Sequence, residues 1–543
     1  MTPDSSLPGA TRPAPWLLGW PGWAILALVG TAIICWRIHD PRTFWLDEGA
    51  SLQVSQYGWS DIDEAAERDS HPPGSAYLRK AWRDLGDALG APRHVFYERG
   101  LNLAVWLPWS ALLWLGLRRL LGAGTGAAAA WCIALNPLVL DGIDSIRMYG
   151  QAVMFSSGAA LALALAIQEG LGEGRARGLR WLALYLVLAV TSFYTHVLTI
   201  PVLGLAGLAL LAASLRFVGW RAPHFRWGLG AQLLAVAAFL PWVPALQKQM
   251  DFYKGLGEWH RTDPTVFNLF RQFTEWFTTT PLPDAFHLPG AGGSTSWFLV
   301  VNVALLGLCA AGLVKLRRGR GLPRSAAFWG AAAGAFVALG YIAFTWGATR
   351  LGIVHLFHGY RYSFLGGPFW ALAIVCGAKG TGAVLGWKWL LPAAVVLLLV
   401  QAGASTLLDE RERLRRGMQG AVMKDLEPLL VPGQRLYVNE GVLAPYAEGA
   451  FPDHEIFSIW DIASHPKDQP DADILLLYDW RNFASRRSET LRVELTASDM
   501  CDSSEVLIVG DGFFLTYVLR LRGVKHENLD VAVEHSAKQP HKP

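Results

Sequence analysis

Charge is scarce in this sequence. Only 17% of its 543 residues are charged, and the formal net charge at pH 7 is +3. Soluble domains carry about 25% charged residues, and domains that bind nucleic acid are usually strongly basic. The low charge therefore argues against a soluble protein, and the small net charge gives no indication of a nucleic-acid partner.

Cysteine is also rare, and the common cofactor patterns are missing. The five cysteines show no zinc-type spacing, and four of them fall in or beside apolar runs. No Walker-type phosphate-binding segment and no internal repeat is found. We therefore predict neither a disulfide framework nor a nucleotide-binding domain. The cysteines are Cys35, Cys132, Cys309, Cys376 and Cys501.

Apolar residues dominate the chain instead. They make up 52% of it, and the 25 tryptophans are typical of membrane interfaces. Apolar runs of 17–22 residues match a bilayer about 30 Å thick, and we predict about eleven transmembrane helices. The first is expected to be retained, because no small-residue cleavage site follows it. The predicted spans are 16–36, 100–117, 121–140, 151–168, 181–196, 197–215, 228–246, 296–314, 326–347, 361–378 and 389–406.

Basic residues in the connections predict the orientation. They fall on every second connection, at Arg118–Arg119, 175–180, 216–226, 315–324 and 379–388. By the positive-inside rule these connections are cytoplasmic. The alternation holds only if 181–215 contains two spans, separated near Phe193–His196. The first outer loop, 37–99, and the tail then face outward.

The tail is expected to be a separate extracytoplasmic domain. The segments "RLYVNE" (435–440), "DILLLYDW" (473–480) and "EVLIVG" (505–510) have strand character, and helical stretches lie between them. We predict a transmembrane domain over 1–406, a small α/β domain over 407–524 and a disordered tail over 525–543.

The first polar residues of interest in the outward-facing loops are two adjacent acids. Asp47 and Glu48 lie in "FWLDEGASLQ", where Trp45 suggests a position at the membrane interface. Partial desolvation would raise the pKa of such a carboxylate and suit it to act as a general base. A pair of solvated loop acids is the simpler alternative.

Further ionisable residues lie close to hydrocarbon on the same side, where they normally mark function. An arginine beside a tyrosine suits an anionic phosphate at the bilayer surface. Taken singly, each arginine could instead be a membrane-edge anchor, and a lone histidine could be a turn residue. These residues are His71 and Lys80 in "HPPGSAYLRK", Arg147 and Tyr149 in "SIRMYGQ", His196 in "FYTH", and His355, Arg361 and Tyr362 in "HLFHGYRYSFLGGP".

In order and sidedness these motifs resemble GT-C glycosyltransferases of the protein O-mannosyltransferase type, in the bacterial branch that includes lipid A aminoarabinose transferase. The matching segments are "LDE", "HPPGSAY", "SIRMYGQ", "YTH" and "RYSFLGGP", and the resemblance covers roughly 16–380. The mannosyltransferase pattern has a larger apolar residue where this chain has Gly74.

The resemblance implies an activity and roles for the residues. A sugar would pass from a polyprenyl-phosphate carrier to a glycan, lipid or protein acceptor, with inversion, on the outer face of the bacterial inner membrane. Asp47 would take the acceptor's proton, and Glu48 would position the acceptor or tune Asp47. A divalent metal is left open, because Asp47, Glu48 and the histidines could converge without any ligand signature. The phosphate would be held by Lys80, Arg147, Tyr149, Arg361 and Tyr362, and His71, His196 and His355 would be substrate contacts.

Two other functions remain open at this stage. A transporter or flippase for lipid-linked glycans would place polar residues near the bilayer midplane, often in repeated halves. Here the charges cluster at one face and no repeat is found. A non-catalytic subunit for assembling envelope polysaccharide is the second alternative.

Overall fold

The computed structural model describes 19–39, 46–68, 71–91, 95–170, 175–220, 222–255, 326–351 and 364–400, with short stretches elsewhere up to 522. Helices account for almost all of the described residues before 400. They are α1 (Trp20–Ile38), α2 (Leu46–Gln56), α3 (Ile62–Arg68), α4 (Gly74–Leu89), α5 (Val95–Leu121), α6 (Ala123–Ala134), α7 (Pro137–Ile143), α8 (Tyr149–Gly170), α9 (Arg175–Thr195), α10 (Thr199–Val218), α11 (Pro223–Phe239), α12 (Val243–Gly255), α13 (Ala326–Arg350) and α14 (Gly367–Leu385).

Six of the described helices are long and apolar enough to cross a membrane. They are Trp20–Ile38, Val95–Leu121, Tyr149–Glu169, Ala176–Thr195, Phe225–Met250 and Phe328–Arg350, and the bent pair α6–α7 makes a seventh if it counts as one span. A multi-pass helical membrane protein is therefore confirmed, but the predicted count of eleven is not.

The remaining predicted spans have different outcomes. Those at 197–215 and 389–406 correspond to shorter apolar helices, Thr199–Leu215 and Leu390–Val400. The span at 361–378 overlaps α14, and nearly all of 296–314 lies outside the described residues. The division of 181–215 is confirmed, because α9 ends at Thr195 and α10 begins at Thr199.

A break between α6 and α7 shapes one end of the bundle. Asn136 caps α7 by accepting a hydrogen bond from the Leu138 N–H at 3.0 Å, and Pro137 follows as the first helical residue. Proline cannot continue α6 but suits the start of a new helix. The axis of α7 is bent by 49° away from the axis of α6. The short α7 then leads into the turn 144–148, which carries "SIRM".

Helix α8 occupies the centre of the bundle. It packs against α5, α7, α9, α10 and α11. Of the residues in its most apolar stretch, 83% are buried inside the protein. Two glycines bring its start close to α7, since a Cβ on Gly150 would lie 2.6 Å from the carbonyl oxygen of Gly142. Small residues allow such backbone approaches between membrane helices.

Helix α4 lies outside the set of spans. Pro72 and Pro73 precede it, and it ends at Gly90, whose φ of 66° is the left-handed conformation that glycine adopts without steric cost. Arg79 and Arg83, four residues apart, face the protein interior, whereas Leu85 and Leu89 are exposed. This distribution is that of an amphipathic helix at an interface.

Five strands form one sheet in the tail. They are β1 (Leu436–Val438), β2 (Ile456–Ser458), β3 (Ile474–Asp479), β4 (Ser503–Asp511) and β5 (Leu515–Arg522), in the order β2-β1-β3-β5-β4. Strand β1 runs parallel to β2 and β3, and β5 runs antiparallel to β3 and β4. Each of the three predicted strand segments coincides with a strand, β1, β3 or β4. Most residues of the stretches predicted to be helical lie outside the described residues, as does the tail 525–543; only a short 3-10 helix, Glu427–Leu429, is described within the stretch 411–430. The α/β class of this region therefore stays a prediction.

Candidate active site

The turn 144–148 between α7 and α8 is held by a buried asparagine. The Asn102 side-chain amide of α5 donates to the carbonyl oxygens of Ile143 at 3.2 Å and Ser145 at 2.6 Å. Its own oxygen accepts from Gln151 Nε2 at 3.0 Å. Both side chains are fully buried. The carbonyl groups of Ile143 and Ser145 thus accept hydrogen bonds from a side chain, at a point where no regular helix or strand pairs the backbone.

Glu48 joins the first outer segment to the same turn. Its carboxylate receives two hydrogen bonds from Arg99, Nε to Oε1 at 3.1 Å and Nη2 to Oε2 at 2.7 Å. Oε1 also accepts from the Ile146 N–H at 2.6 Å. The side chain of Glu48 is 0% exposed. A two-pronged arginine–carboxylate contact of this kind fixes orientation as well as distance.

A second buried ionic group anchors α4 to α5. Glu98 Oε1 lies 3.3 Å from Arg83 Nε, and Oε2 lies 3.8 Å from Arg79 Nη1. Arg79 also donates to the backbone oxygens of Glu98 and Ile146. Burial lowers the pKa of Arg79 to about 10, so the guanidinium stays charged at neutral pH. The interfacial helix is therefore connected to the turn by a cation.

A third ion pair ties the end of α1 to the turn. Arg37 contacts Asp144 Oδ2 through Nε at 2.9 Å and Nη2 at 2.7 Å, with Asp141 Oδ1 3.6 Å away. Arg37 is the last-turn residue of α1 and is fully buried. An intramembrane arginine is costly unless it is paired with an acid in this way.

Arg147 is the central cation of the candidate site. Its side chain is 6% exposed. Nη1 lies 3.3 Å from the Ser51 hydroxyl of α2, and the guanidinium carbon lies 5.8 Å from the centre of the Tyr149 ring. The predicted proximity of an arginine and a tyrosine at the start of α8 is therefore present. Cation–π contact orients the guanidinium plane as well as stabilising its charge.

Two histidines predicted from separate motifs lie side by side. The rings of His71 and His196 are 5.3 Å apart, and Tyr149 lies 5.9 Å from His196. Phe364 completes the group, 5.0 Å from Tyr149 and 5.9 Å from His196. We call His71, Tyr149, His196 and Phe364 the aromatic cluster. It brings together the loop before α4, the start of α8, the α9–α10 turn and the segment before α14.

Both imidazoles of the aromatic cluster are neutral at pH 7. Burial and the nearby Arg147 lower the pKa of His196 to about 3, and burial, Arg147 and His196 hold the pKa of His71 well below its usual 6.5. His196 Nδ1 accepts from the Leu198 N–H at 3.2 Å, which places the ring proton on Nε2. The cluster therefore offers neutral hydrogen-bonding groups beside a cation.

Gly74 explains the departure from the mannosyltransferase pattern. A Cβ at this position would lie 2.6 Å from the carbonyl oxygen of Tyr194 and 3.1 Å from the Thr195 nitrogen. The start of α4 thus packs directly on the backbone of the α9–α10 turn. A larger side chain would push "HPPG" away from "YTH", and so would separate His71 from His196.

Lys80 has a different environment from the one expected. It pairs with Asp84 one turn further along α4, and Asp84 also accepts from Trp59 Nε1 at 2.9 Å. Trp59 in turn stacks on Tyr77 at 5.9 Å. No contact in the described part of the chain joins Lys80 to Arg147, so its role as a phosphate ligand stays a prediction.

Several of the predicted site residues lie outside the part of the chain that the structure describes. Arg361, Tyr362 and His355 lie in the stretch 352–363, which is not described, although Phe364 follows directly. Asp47 belongs to α2, but only its backbone is described. Among the described residues, no group of three or more His, Cys, Asp or Glu is placed to hold a metal.

Sequence reasoning missed most of the groups that support Arg147. The signal for some was present, since Arg79 and Arg83 recur at helical spacing beside an apolar stripe, and Arg37 and Asn102 interrupt apolar runs. Periodicity does not say which acid each arginine meets. The missed residues are Arg37, Arg79, Arg83, Glu98, Arg99, Asn102 and Gln151.

The opposite end of the bundle carries other charges. Helix α5 begins beside the candidate site and spans about 40 Å at 1.5 Å per residue. Its last turn holds Arg118 and Arg119, and Arg119 pairs with Glu169 at the end of α8 at 3.0 Å. The predicted cytoplasmic arginines and the candidate site therefore lie at opposite ends of the same helices.

Comparison with solved structures defines the fold. It is the helical fold of ArnT. The chain superposes on apo ArnT from Cupriavidus metallidurans with a TM-score of 0.53 and 14% identity, over 92% of this chain and 98% of that one. ArnT bound to undecaprenyl phosphate gives 0.50, also with 14% identity and the same coverage.

The archaeal oligosaccharyltransferase AglB from Archaeoglobus fulgidus, in complex with an inhibitory peptide and a dolichol-phosphate, gives a TM-score of 0.41 at 12% identity, over 86% of this chain and 70% of that one. No protein-family profile matches the chain, and no curated protein matches it significantly in sequence. The superposition on ArnT confirms the predicted resemblance at the level of the fold.

Proposed function

We propose that this chain is an integral-membrane glycosyltransferase that moves a sugar from a polyprenyl-phosphate carrier to an acceptor on the outer face of the bacterial inner membrane. The observation that carries the proposal is the placement of Arg147. It is a buried guanidinium beside the aromatic cluster, at one end of a helix bundle with the fold of ArnT, which has been captured with undecaprenyl phosphate.

Arg147 would bind the phosphate of the carrier. A guanidinium offers paired donors that match phosphate oxygens, and a site with little water strengthens their attraction. The phosphate is the leaving group, so its negative charge grows as the sugar–phosphate bond breaks. A fixed cation there stabilises the transition state more than the ground state. Lys80, Arg361 and Tyr362 are proposed further contacts, and Tyr149 supports Arg147 through its ring.

Asp47 would act as the general base. The acceptor hydroxyl would attack the anomeric carbon, the bond from that carbon to the phosphate would break, and polyprenyl phosphate would depart. The hydroxyl proton would pass to Asp47, and the configuration would invert. Support comes from α2, where Asp47 lies one helical turn before Ser51, the residue that contacts Arg147.

The neutral imidazoles of His71 and His196 would contact the sugar or the acceptor. Burial keeps both uncharged, so they can exchange hydrogen bonds with hydroxyl groups without repelling Arg147. His355 is proposed for the same role. The site would lie on the outer face, since Arg118, Arg119 and the other basic connections predict that the opposite end of the bundle is cytoplasmic. The sheet of the tail is proposed to lie on the same side as the site.

Carrier binding tests the phosphate site. We expect purified wild-type protein in nanodiscs to bind undecaprenyl phosphate, and Arg147→Ala to weaken this binding roughly tenfold or more, as for the loss of a charged hydrogen bond. Arg147→Lys should recover part of the lost binding, because lysine restores the positive charge but not the paired donors of the guanidinium. Arg180→Ala is the control, since Arg180 is exposed on α9, in a predicted cytoplasmic connection. Equal binding by all variants would contradict the assignment.

Sugar transfer tests the base and separates the alternatives. Asp47→Asn should abolish transfer while carrier binding and folding persist, with Asp61→Asn, an exposed acid of the same outer segment, as the matched control. Normal transfer by Asp47→Asn would contradict the role of Asp47. Movement of a lipid-linked sugar across acceptor-free liposomes, without any transfer when acceptor is added, would favour a flippase.

A further inference from the structure

Glu48 is enclosed on every side by its partners. Its side chain is 0% exposed, Oε1 accepts from Arg99 Nε and the Ile146 N–H, and Oε2 accepts from Arg99 Nη2. A group that receives a proton from an acceptor must come within hydrogen-bond reach of that acceptor. Glu48 would have to break a buried ion pair first, so the contacts point to a task other than proton transfer.

Those contacts converge on the two consecutive peptide units that meet at Ile146. The Ile146 N–H donates to Glu48, and the Ile146 carbonyl accepts from Arg79 of α4. The preceding carbonyl, that of Ser145, accepts from Asn102. Both polar groups of Ile146, the residue directly before Arg147, are thus bound by charged side chains from two different helices. The backbone has little freedom left at the point where Arg147 begins.

Stability alone is a weak reason for such a network. Removing charges from water costs several kcal/mol for each ion, and a buried ion pair often returns no net stability. Geometry is a better reason, because a guanidinium that must match a phosphate loses much of its effect when it is displaced by about 1 Å. A two-pronged ion pair and three backbone contacts define that geometry well.

We propose that Glu48 is a positioning residue: together with Arg99 and Arg79 it fixes the two peptide units that meet at Ile146 and thereby directs the Arg147 guanidinium toward the phosphate of the carrier. This inference rests on the proposed function. It divides the two adjacent acids of "LDE" between different tasks, the support of the cation for Glu48 and proton transfer for Asp47.

A double-mutant cycle with undecaprenyl phosphate tests the proposal. Glu48→Gln keeps the shape of the side chain and an acceptor for the Ile146 N–H, but it loses the charged pair with Arg99. We expect its Kd for the carrier to rise roughly tenfold, the lower end of the effect seen for groups that orient metal ligands. In an Arg147→Ala background, the same change should alter the Kd by less than about twofold, because the guanidinium it positions is gone.

Arg99→Lys gives the second variant, since lysine keeps the charge but not the fork. It should show the same dependence on Arg147. The matched control is Glu169→Gln, which removes the charge from a glutamate–arginine pair remote from the site, at the far ends of α5 and α8. This control should leave the Kd unchanged in both backgrounds.

The outcomes separate this proposal from the proposed function. Equal losses in both backgrounds would overturn the positioning role, as would an unchanged Kd with abolished transfer, which would make Glu48 a proton carrier. Wild-type protein that binds no carrier would instead contradict the proposed function. Loss of binding in Arg147→Ala, with full binding in Glu48→Gln and Arg99→Lys, would overturn the positioning role alone.

Discussion

Gly74→Ala offers a sharp test of how the candidate site is assembled. The new Cβ would lie 2.6 Å from the Tyr194 carbonyl oxygen, whereas ordinary contact begins near 3.4 Å. The obstacle is backbone, not the end of a flexible side chain, so α4 or the α9–α10 turn must retreat by roughly 0.8 Å. Overpacking of this kind costs about 1–3 kcal/mol. The retreat also separates the rings of His71 and His196.

The measurement is a denaturant titration in detergent micelles, followed by tryptophan fluorescence. Gly74→Ala should lower the free energy of unfolding by about 1–3 kcal/mol, and Gly74→Val should lower it further. Gly230→Ala, in the middle of α11, is the control, because a Cβ there meets nothing within 4 Å. If Gly74→Ala unfolds at the wild-type denaturant concentration, α4 does not pack on the Tyr194–Thr195 backbone, and the close contact between "HPPG" and the α9–α10 turn is wrong.

Two further predictions concern the histidines and Lys80. Because the folded-state pKa values of His71 and His196 lie below that of an unfolded histidine, near 6.5, their contribution to stability is complete above about pH 6.5 and falls as the pH drops toward the folded values. Unfolding titrations at pH 7.5 and pH 5 should show this loss, and the double variant His71→Gln, His196→Gln should reduce it; an unchanged slope would contradict the buried neutral pair. Lys80→Ala should weaken binding of undecaprenyl phosphate, because Lys80 is proposed to contact the phosphate of the carrier. Full binding by this variant would contradict that role and leave Lys80 with its ion pair to Asp84 alone.

Much of the fold was predictable because apolar runs and loop charges report directly on membrane spans. The break at Phe193–His196 is an example, since only two helices in 181–215 allow the basic connections to alternate. The bend at Pro137 was not predicted, because the run 121–140 is apolar throughout and its break depends on a local cap at Asn136. Short apolar helices such as Leu390–Val400 also look like full spans when apolar composition alone is counted.

The candidate site was only partly predictable for a similar reason. Arg147, Tyr149 and His196 stand out because each lies at the edge of an apolar run. Glu48 stands out equally, yet its partners Arg99 and Ile146 are 51 and 98 residues away in sequence. Pairings over such distances depend on how the helices pack. Two neighbouring acids therefore look alike in the sequence, and the buried ion pair of Glu48 could not be predicted from it.

A profile of lipid-linked intermediates in cells that lack this chain tests the proposed sugar transfer most directly. If the chain transfers a sugar from a polyprenyl-phosphate carrier, the loaded carrier should accumulate in the deletion strain, and its mass should identify the sugar. Wild-type protein should clear it, while Asp47→Asn and Arg147→Ala should not. A deletion strain with no accumulating carrier, or one that Asp47→Asn clears as well as the wild type, would contradict the account.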